Sequence, residues 1–277
     1  MTNQDMSGSL MDVVSETSAS GMKDYLASLR YAGMIQKSLL PPGDILSGLL
    51  ENVFVTYMPR DYVSGDFYYI FRGKEFFSVA AGDCTGHGVP GALLSILGVA
   101  FLNEILQTQT LPRANRVLNL MREKVMSALH QTGRSGESMD TIDLALCIFN
   151  YGSREMQFSG ANRPLFIVRN GELREIKADK MSIGLAPVKE DPFTNNIVPF
   201  DNSDMFYLFS DGFPDQFGGM ENKKFKYRQF RDLLVKISGL KASEQKNIVE
   251  ETFRIWKGDN RQIDDVLVFG FKPKIGI

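Results

Sequence analysis

Ser78-Val79-Ala80-Ala81-Gly82-Asp83-Cys84-Thr85-Gly86-His87-Gly88-Val89-Pro90-Gly91-Ala92-Leu93-Leu94 is the stretch around which the rest of the chain is read. An apolar run with the character of a buried strand ends on one carboxylate, Asp83. A turn of small residues and glycines follows, and a helical pattern opens after Pro90. A carboxylate at a strand end, where the backbone turns sharply, is a common way to hold a hard cation through oxygen. Alone, the signal is weak. Three further segments of the same kind strengthen it: Val63-Ser64-Gly65-Asp66-Phe67, Leu208-Phe209-Ser210-Asp211-Gly212 and Gln262-Ile263-Asp264-Asp265-Val266.

Upstream of this stretch, β-branched and aromatic runs predict strands over 53–57, 67–71 and 75–81, and their short links predict an antiparallel meander. Downstream, apolar stripes predict helices over 92–106 and 112–130, then strands over 144–149, 155–159, 165–169 and 173–176. Asn170-Gly171 marks a hairpin between the last two. Strands over 197–200 and 205–209, helices over 227–238 and 243–256 and a strand over 266–271 complete the order. Helices come in blocks rather than after every strand, which argues against a doubly wound parallel sheet. The class expected is α+β, with two antiparallel sheets packed face to face and helix pairs outside.

Ahead of this domain, expected over 43–277, residues 1–22 have the composition of a flexible leader. Residues 23–42 form an amphipathic helix stopped by Pro41-Pro42. Such a linker helix either docks on its own domain or pairs with a second copy, giving a homodimer.

The chain has 277 residues, 2 cysteines, 2 histidines and a formal net charge of -2. No basic field points to nucleic acid or an anionic membrane. The thiols of Cys84 and Cys147 have no metal-ligand spacing and suit a reducing, cytoplasmic setting, whether for a free protein or for the output domain of a longer membrane sensor. A histidine-rich zinc site is excluded, so any metal must be held mainly by oxygen. No apolar run is expected to approach the roughly 20 residues of a membrane span.

Asp66, Asp83, Asp211 and Asp264 each abut a predicted strand. Gathered without counter-charge, they would repel and take up protons. Two divalent cations ~4 Å apart would make their ionisation favourable, lower the pKa of a bridging water and hold both oxygens of an in-line phosphoryl displacement. The plainer alternative is that each Asp only caps its turn. Spacing alone leaves both open.

The segments Ser64-Gly65-Asp66-Phe67-Tyr68, Gly82-Asp83 through Gly91-Ala92, Ser159-Gly160-Ala161-Asn162-Arg163-Pro164-Leu165, Ser210-Asp211-Gly212 and Asp264-Asp265 resemble the signatures of the SpoIIE/RsbU-type serine phosphatases. These form the bacterial branch of the metal-dependent (PPM, protein phosphatase 2C-like) phosphatases. The resemblance runs in order over about 39–271. It implies an αββα sandwich that hydrolyses phosphoserine or phosphothreonine on a protein with two Mn2+ or Mg2+ ions. Carried over by position, Asp83 bridges the ions and the carbonyl of Cys84 adds an oxygen. Asp211 and Asp264 ligate the second ion, and Asp66 acts through water. Asp265 is left beside the metal set. Arg60 and Asn162 are candidates for the substrate phosphate, each with a bland alternative as a surface or turn residue. His87 reads as a turn residue rather than a general acid. Asp140 and Asp143 are candidates for a third ion or for a solvated loop. Tyr69 stands where many members carry another Asp.

The function expected is dephosphorylation of a bacterial signalling protein of the anti-sigma-factor-antagonist type. A catalytically silent, partner-binding module with the same fold is the main alternative, and a small-molecule phosphohydrolase a third.

Overall fold

The computed structural model describes residues 5–185 and 191–274, with side chains from residue 21 onward. Helix α1 (Asp5–Leu39) leads through α2 (Gly43–Leu49) into β1 (Leu50–Met58), β2 (Phe67–Arg72) and β3 (Phe76–Cys84). Helices α3 (Val89–Gln107) and α4 (Ala114–Ala128) follow. Next come β4 (Ile142–Asn150), β5 (Glu155–Ala161), β6 (Leu165–Arg169), β7 (Glu172–Ile176), β8 (Asn196–Pro199) and β9 (Met205–Phe209). The last part runs through α5 (Gly212–Asp215), the two-residue strands β10 (Phe217–Gly218) and β11 (Lys223–Lys224), α6 (Lys226–Ile237), α7 (Ala242–Lys257) and β12 (Val266–Pro273).

Two five-stranded sheets form, ordered β1-β12-β9-β6-β7 and β2-β3-β4-β5-β8, with antiparallel pairing throughout. Their inner faces meet in an aromatic-rich core that includes Phe77, Phe149, Phe206, Leu208, Phe269 and Phe271. Leu102, Leu106, Val117, Leu118 and Met121 of α3 and α4 bury one outer face, against Leu144, Leu146 and Ile148. Phe230, Leu234, Val249 and Phe253 of α6 and α7 bury the other, against Phe166, Phe209 and Val268. The sandwich is therefore the expected layered α+β arrangement. Apolar stripes on the helices and strands buried on both faces are what this layering requires.

Three local expectations change. First, β1 does not join a meander with β2: it pairs with β12 in the opposite sheet, so the link between them crosses the end of the sandwich. A short connection cannot distinguish a hairpin from a step between two stacked sheets. Second, between Pro42 and the strand expected at 53–57 stands a helix for which no expectation was made, α2, which buries Leu46 and Leu49. Third, α3 is a 19-residue helix of mean hydropathy 1.8, the one helix among the described residues long and apolar enough to cross a membrane, contrary to the expectation of no such run. Part of that apolarity lies in the domain core, where Leu94, Leu102, Ile105 and Leu106 are buried, whereas Val89, Leu93 and Ile96 stay exposed.

The helix expected from residue 23 begins at Asp5. No proline interrupts the sequence between Asp5 and Pro41, and Ser and Thr cost a helix little. Of the leader expected over 1–22, residues 1–4 and the side chains up to residue 20 lie outside the described residues. The end of α1 is docked on the domain. Buried Gln36 donates from Nε2 to the Ser64 carbonyl (2.6 Å) and to Ser95 Oγ (2.8 Å), and accepts from the Ser64 N–H (3.0 Å).

Candidate active site

Antiparallel stacking puts four chain crossings at one end of the sandwich. Strand β3 runs out at Asp83, directly opposite Asp143 at the start of β4. The exit of β5 is a tight turn: Asn162 takes a left-handed conformation (φ 54) and the Arg163 N–H bonds the Ala161 carbonyl. The exit of β9 delivers Ser210 and Asp211, and β12 is entered through Asp264 and Asp265. The turn after Asp83 needs glycine at Gly86, whose φ is 82. The same turn packs backbone to backbone on the neighbouring segments: a Cβ on Gly65 would lie 2.8 Å from the Gly86 carbonyl oxygen, and one on Gly91 would collide with it.

Asp83, Cys84, Asp211 and Asp264 thus line one cleft of about 210 Å³, together with Thr85, Gly86, His87, Thr141, Asp143, Arg163 and Ser182. A larger groove of about 970 Å³ lies between α2, β1 and the start of α7, with apolar and lysine lining and no acidic side chain. Size does not make it the reactive site, because the titratable chemistry is elsewhere.

Asp66 sits behind the cleft, buried, with Ser210 Oγ donating to its Oδ2 at 2.5 Å. Its pKa is driven well up, first by burial and then by the charge of Asp83. Asp83 is pushed up to about 7. Burial is the largest cause; Arg163 opposes the rise, whereas Asp211, Asp264 and Asp143 add to it. Asp264 is raised by burial as well, with Asp211 contributing. Burial pushes the Cys84 thiol well up, which keeps it protonated and leaves its backbone carbonyl as the oxygen it could give a cation.

Arg163 was not singled out by sequence reading. Its Nη2 lies 2.7 Å from Asp211, 2.9 Å from Asp83 and 3.2 Å from Asp143. Burial alone would weaken its charge, but the three carboxylates more than restore it. An arginine beside a strand end carries no periodicity or spacing signal. Only the turn geometry of Asn162 shows where it goes.

The two phosphate candidates stand beside the cleft rather than in its lining. Arg60 is tied to the β12 entry, Nη1 donating to the Ile263 carbonyl at 3.1 Å. Asn162 supports Asp143, donating from Nδ2 to Asp143 Oδ1 and to Ser182 Oγ, both at 2.9 Å. Asp265 is occupied: its Oδ1 accepts from the Arg60 N–H and its Oδ2 from the Gly65 N–H, each at 2.7 Å. His87, half exposed at the rim, faces Asp61 at 3.5 Å. Asp140 is held by Ser138 away from the cleft lining. Tyr69 is buried, its hydroxyl donating to Asn103 Oδ1 at 2.8 Å.

Among the described residues, no three His, Cys, Asp or Glu side chains already stand at the mutual spacing a bound metal needs. The donor chemistry nonetheless fits a hard divalent cation. Asp83, Asp143, Asp211 and Asp264 supply carboxylates to one cleft, and their mutual repulsion is what a cation would relieve.

The chain resembles the SiaA-PP2C domain of Pseudomonas aeruginosa at 29% identity and a TM-score of 0.83, over 92% of this chain and 100% of that one. The PP2C phosphatase domain of SpoIIE from Bacillus subtilis, with a fragment of its regulatory domain, matches at 18% identity and a TM-score of 0.62, over 79% and 62%. The RsbU and RsbW domains of a Mycobacterium tuberculosis protein match at 16% and 0.61, over 82% and 61%. These last two speak for the fold alone. No match is found among curated proteins by sequence. The family described as Stage II sporulation protein E (SpoIIE) matches residues 74–274, a span that contains β3, the Asp83 turn, Arg163, Asp211 and both acids of the β12 entry, and the chain belongs to that family of PP2C-type phosphatase domains.

Proposed function

We propose that the protein is a metal-dependent protein-serine/threonine phosphatase that hydrolyses phosphoserine or phosphothreonine on a bacterial signalling protein. The observation that carries this reading is the meeting of Asp83, Asp143, Asp211 and Asp264, from three separate strand ends and one loop exit, in a single cleft. In this reading Asp83, Asp211 and Asp264, with the Cys84 carbonyl, hold two Mn2+ or Mg2+ ions, and Asp66 backs them from the buried side. When bound, such ions supply an activated water and neutralise phosphoryl charge. The chain's own part is to orient. Ser210 fixes Asp66 by its hydroxyl and the Leu267 N–H fixes Ser210, at 3.0 Å, so the acid sits on a strand-anchored support.

The substrate class is argued from the relatives, whose named systems include RsbU with RsbW and the stressosome. A phosphorylated single-domain regulator of the anti-sigma-factor-antagonist type is the partner this reading favours. Free, buried thiols at Cys84 and Cys147 suit a cytoplasmic setting. On α1, Met22, Tyr25, Tyr31, Met34, Ile35 and Leu39 are exposed; they spread around much of the helix rather than along one stripe, and this uncovered apolar surface is what supports a homodimer through the helix. Light scattering of Ile35→Lys would show a halved mass if so, and an unchanged mass would refute the pairing.

Phosphate release from a phosphoserine protein with and without Mn2+ tests the activity. Turnover that depends on Mn2+ and disappears in Asp83→Ala is expected; undiminished turnover under strong chelation would refute it. One observation favours the silent, partner-binding module instead, namely the arginine already seated among the acids. Absence of turnover with partner binding intact would select that reading.

A further inference from the structure

Deepening the phosphatase reading and resting on it, we propose that Arg163 is a tethered counter-ion that competes with divalent cations for the oxygens of Asp83, Asp143 and Asp211, and so sets how tightly this site takes metal. A single nitrogen, Nη2, lies within 3.2 Å of all three carboxylates. It carries two hydrogens, so it cannot satisfy three acceptors at once, and only the contact to Asp211 has full hydrogen-bond geometry. One positive charge thus serves three negative ones. The Nε of the same group, buried, has no hydrogen-bond partner among the described residues. An arginine placed for its own stability would use its planar fork in a bidentate pair. This one spends one corner on three acids and leaves another donor idle.

The seat is built rather than incidental. The turn that projects Arg163 is held by the Asn162 N–H to the Asp179 carbonyl at 2.9 Å, and Asn162 in turn bonds Asp143. The side chain is only 8% exposed as a residue, so it has little freedom to leave without a replacement charge. Unlike a free monovalent ion, it cannot be diluted away. A divalent cation that claims these oxygens must therefore break three charge contacts, and its net binding free energy is lowered by that amount. Substituting the arginine removes the competitor while leaving every oxygen donor in place.

Mn2+ binding, followed by isothermal titration and by the loss of the free-ion paramagnetic resonance signal, tests this on the whole chain. Arg163→Gln is expected to bind Mn2+ about tenfold or more tightly than the unsubstituted protein, with Arg163→Lys in between, since each tenfold corresponds to about 1.4 kcal/mol of removed competition. The metal-free Arg163→Gln protein should melt at lower temperature and regain more on adding Mn2+. If Arg163→Gln folds only when Mn2+ is present, that dependence supports the same conclusion. An affinity equal to or weaker than that of the unsubstituted protein, in folded Arg163→Gln and Arg163→Lys alike, overturns it. The outcomes separate from those of the phosphatase reading. Unaltered Mn2+ affinity in the variants with Mn2+-dependent turnover in the parent defeats only the counter-ion role. Binding of Mn2+ by the variant alone upholds that role and favours the silent module.

Discussion

On the side of the cleft built by residues 60–66 and the entry to β12, the acids have donors of their own. Asp265 accepts two backbone N–H groups and Asp66 accepts a serine hydroxyl. On the opposite side, Asp83, Asp143 and Asp211 share a single guanidinium, and of the three Asp143 alone also accepts from neutral side chains among the described residues, Asn162 Nδ2 and Ser182 Oγ. Asp264 and Asp265 are adjacent in the chain yet fall on different sides of this divide, one lining the cleft and one sealed beneath it. The same residue type therefore serves two purposes. Where a carboxylate is surrounded by fixed N–H groups it acts as mortar between loops. Where carboxylates outnumber the cations beside them, their mutual repulsion is what a bound divalent ion would relieve.

The contrast is broken or sharpened most strongly by the substitution Asp→Ala made once on each side. Asp83→Ala and Asp211→Ala should lower phosphate release roughly a hundred- to thousandfold while leaving the metal-free melting temperature undiminished. A melting temperature reduced as far as activity would put these acids among the structural ones. Asp265→Ala, by contrast, strips one buried and one part-buried N–H group of their acceptor and should cost about 2–4 kcal/mol in urea unfolding. A loss within experimental error would mean that water or a neighbour can replace it.

Acid titration gives a subtler separation. Folding raises the Asp83 carboxyl from the ordinary value of about 3.9 to about 7. Between those limits the folded state holds a proton that the unfolded chain has released. The Asp83 share of metal-free stability therefore falls as pH rises from about 4 to about 7, by about 1–3 kcal/mol, and the raised carboxyls of Asp66, Asp264 and Asp265 add to the same downward slope. Asp83→Asn should flatten this slope, and a slope that persists unchanged would assign it to Asp66 instead. The smallest effect expected is at the linker. Gln36→Ala removes three hydrogen bonds but opens the end of α1 to water, and should cost about 1–2 kcal/mol by denaturant titration.

Much of this arrangement was legible in the sequence. Four Asp residues at strand ends, glycines at the turn after Asp83 and helices in paired blocks are short-range signals, and short-range physics produces them: a φ of 82 at Gly86 admits few residues other than glycine. What could not be read was set by contacts between distant segments. The pairing of β1 with β12 rather than β2 depends on which sheet edge is free. The split between Asp264 and Asp265 follows from the resemblance alone, not from local pattern, because it depends on which of two neighbouring side chains points down into the Arg60–Gly65 loop. Arg163, flanked by a turn residue and a proline, gives no local cue that three carboxylates wait for it. Asn162 carried a signal, since asparagine tolerates the left-handed region, but its side chain turned out to brace Asp143.

The bond between Gly65 and Asp265 joins positions 200 residues apart, and β12 is the strand that lies between β1 and β9. During synthesis on a ribosome, β1 emerges early and then waits for nearly the whole domain before its neighbour exists. Until that strand slots in, one sheet is split, the floor beneath the acids is missing and Asp264 has not arrived, so a half-made chain cannot gather the four carboxylates of the cleft. Topology of this kind makes folding slow, and it also makes completeness of translation a condition for competence.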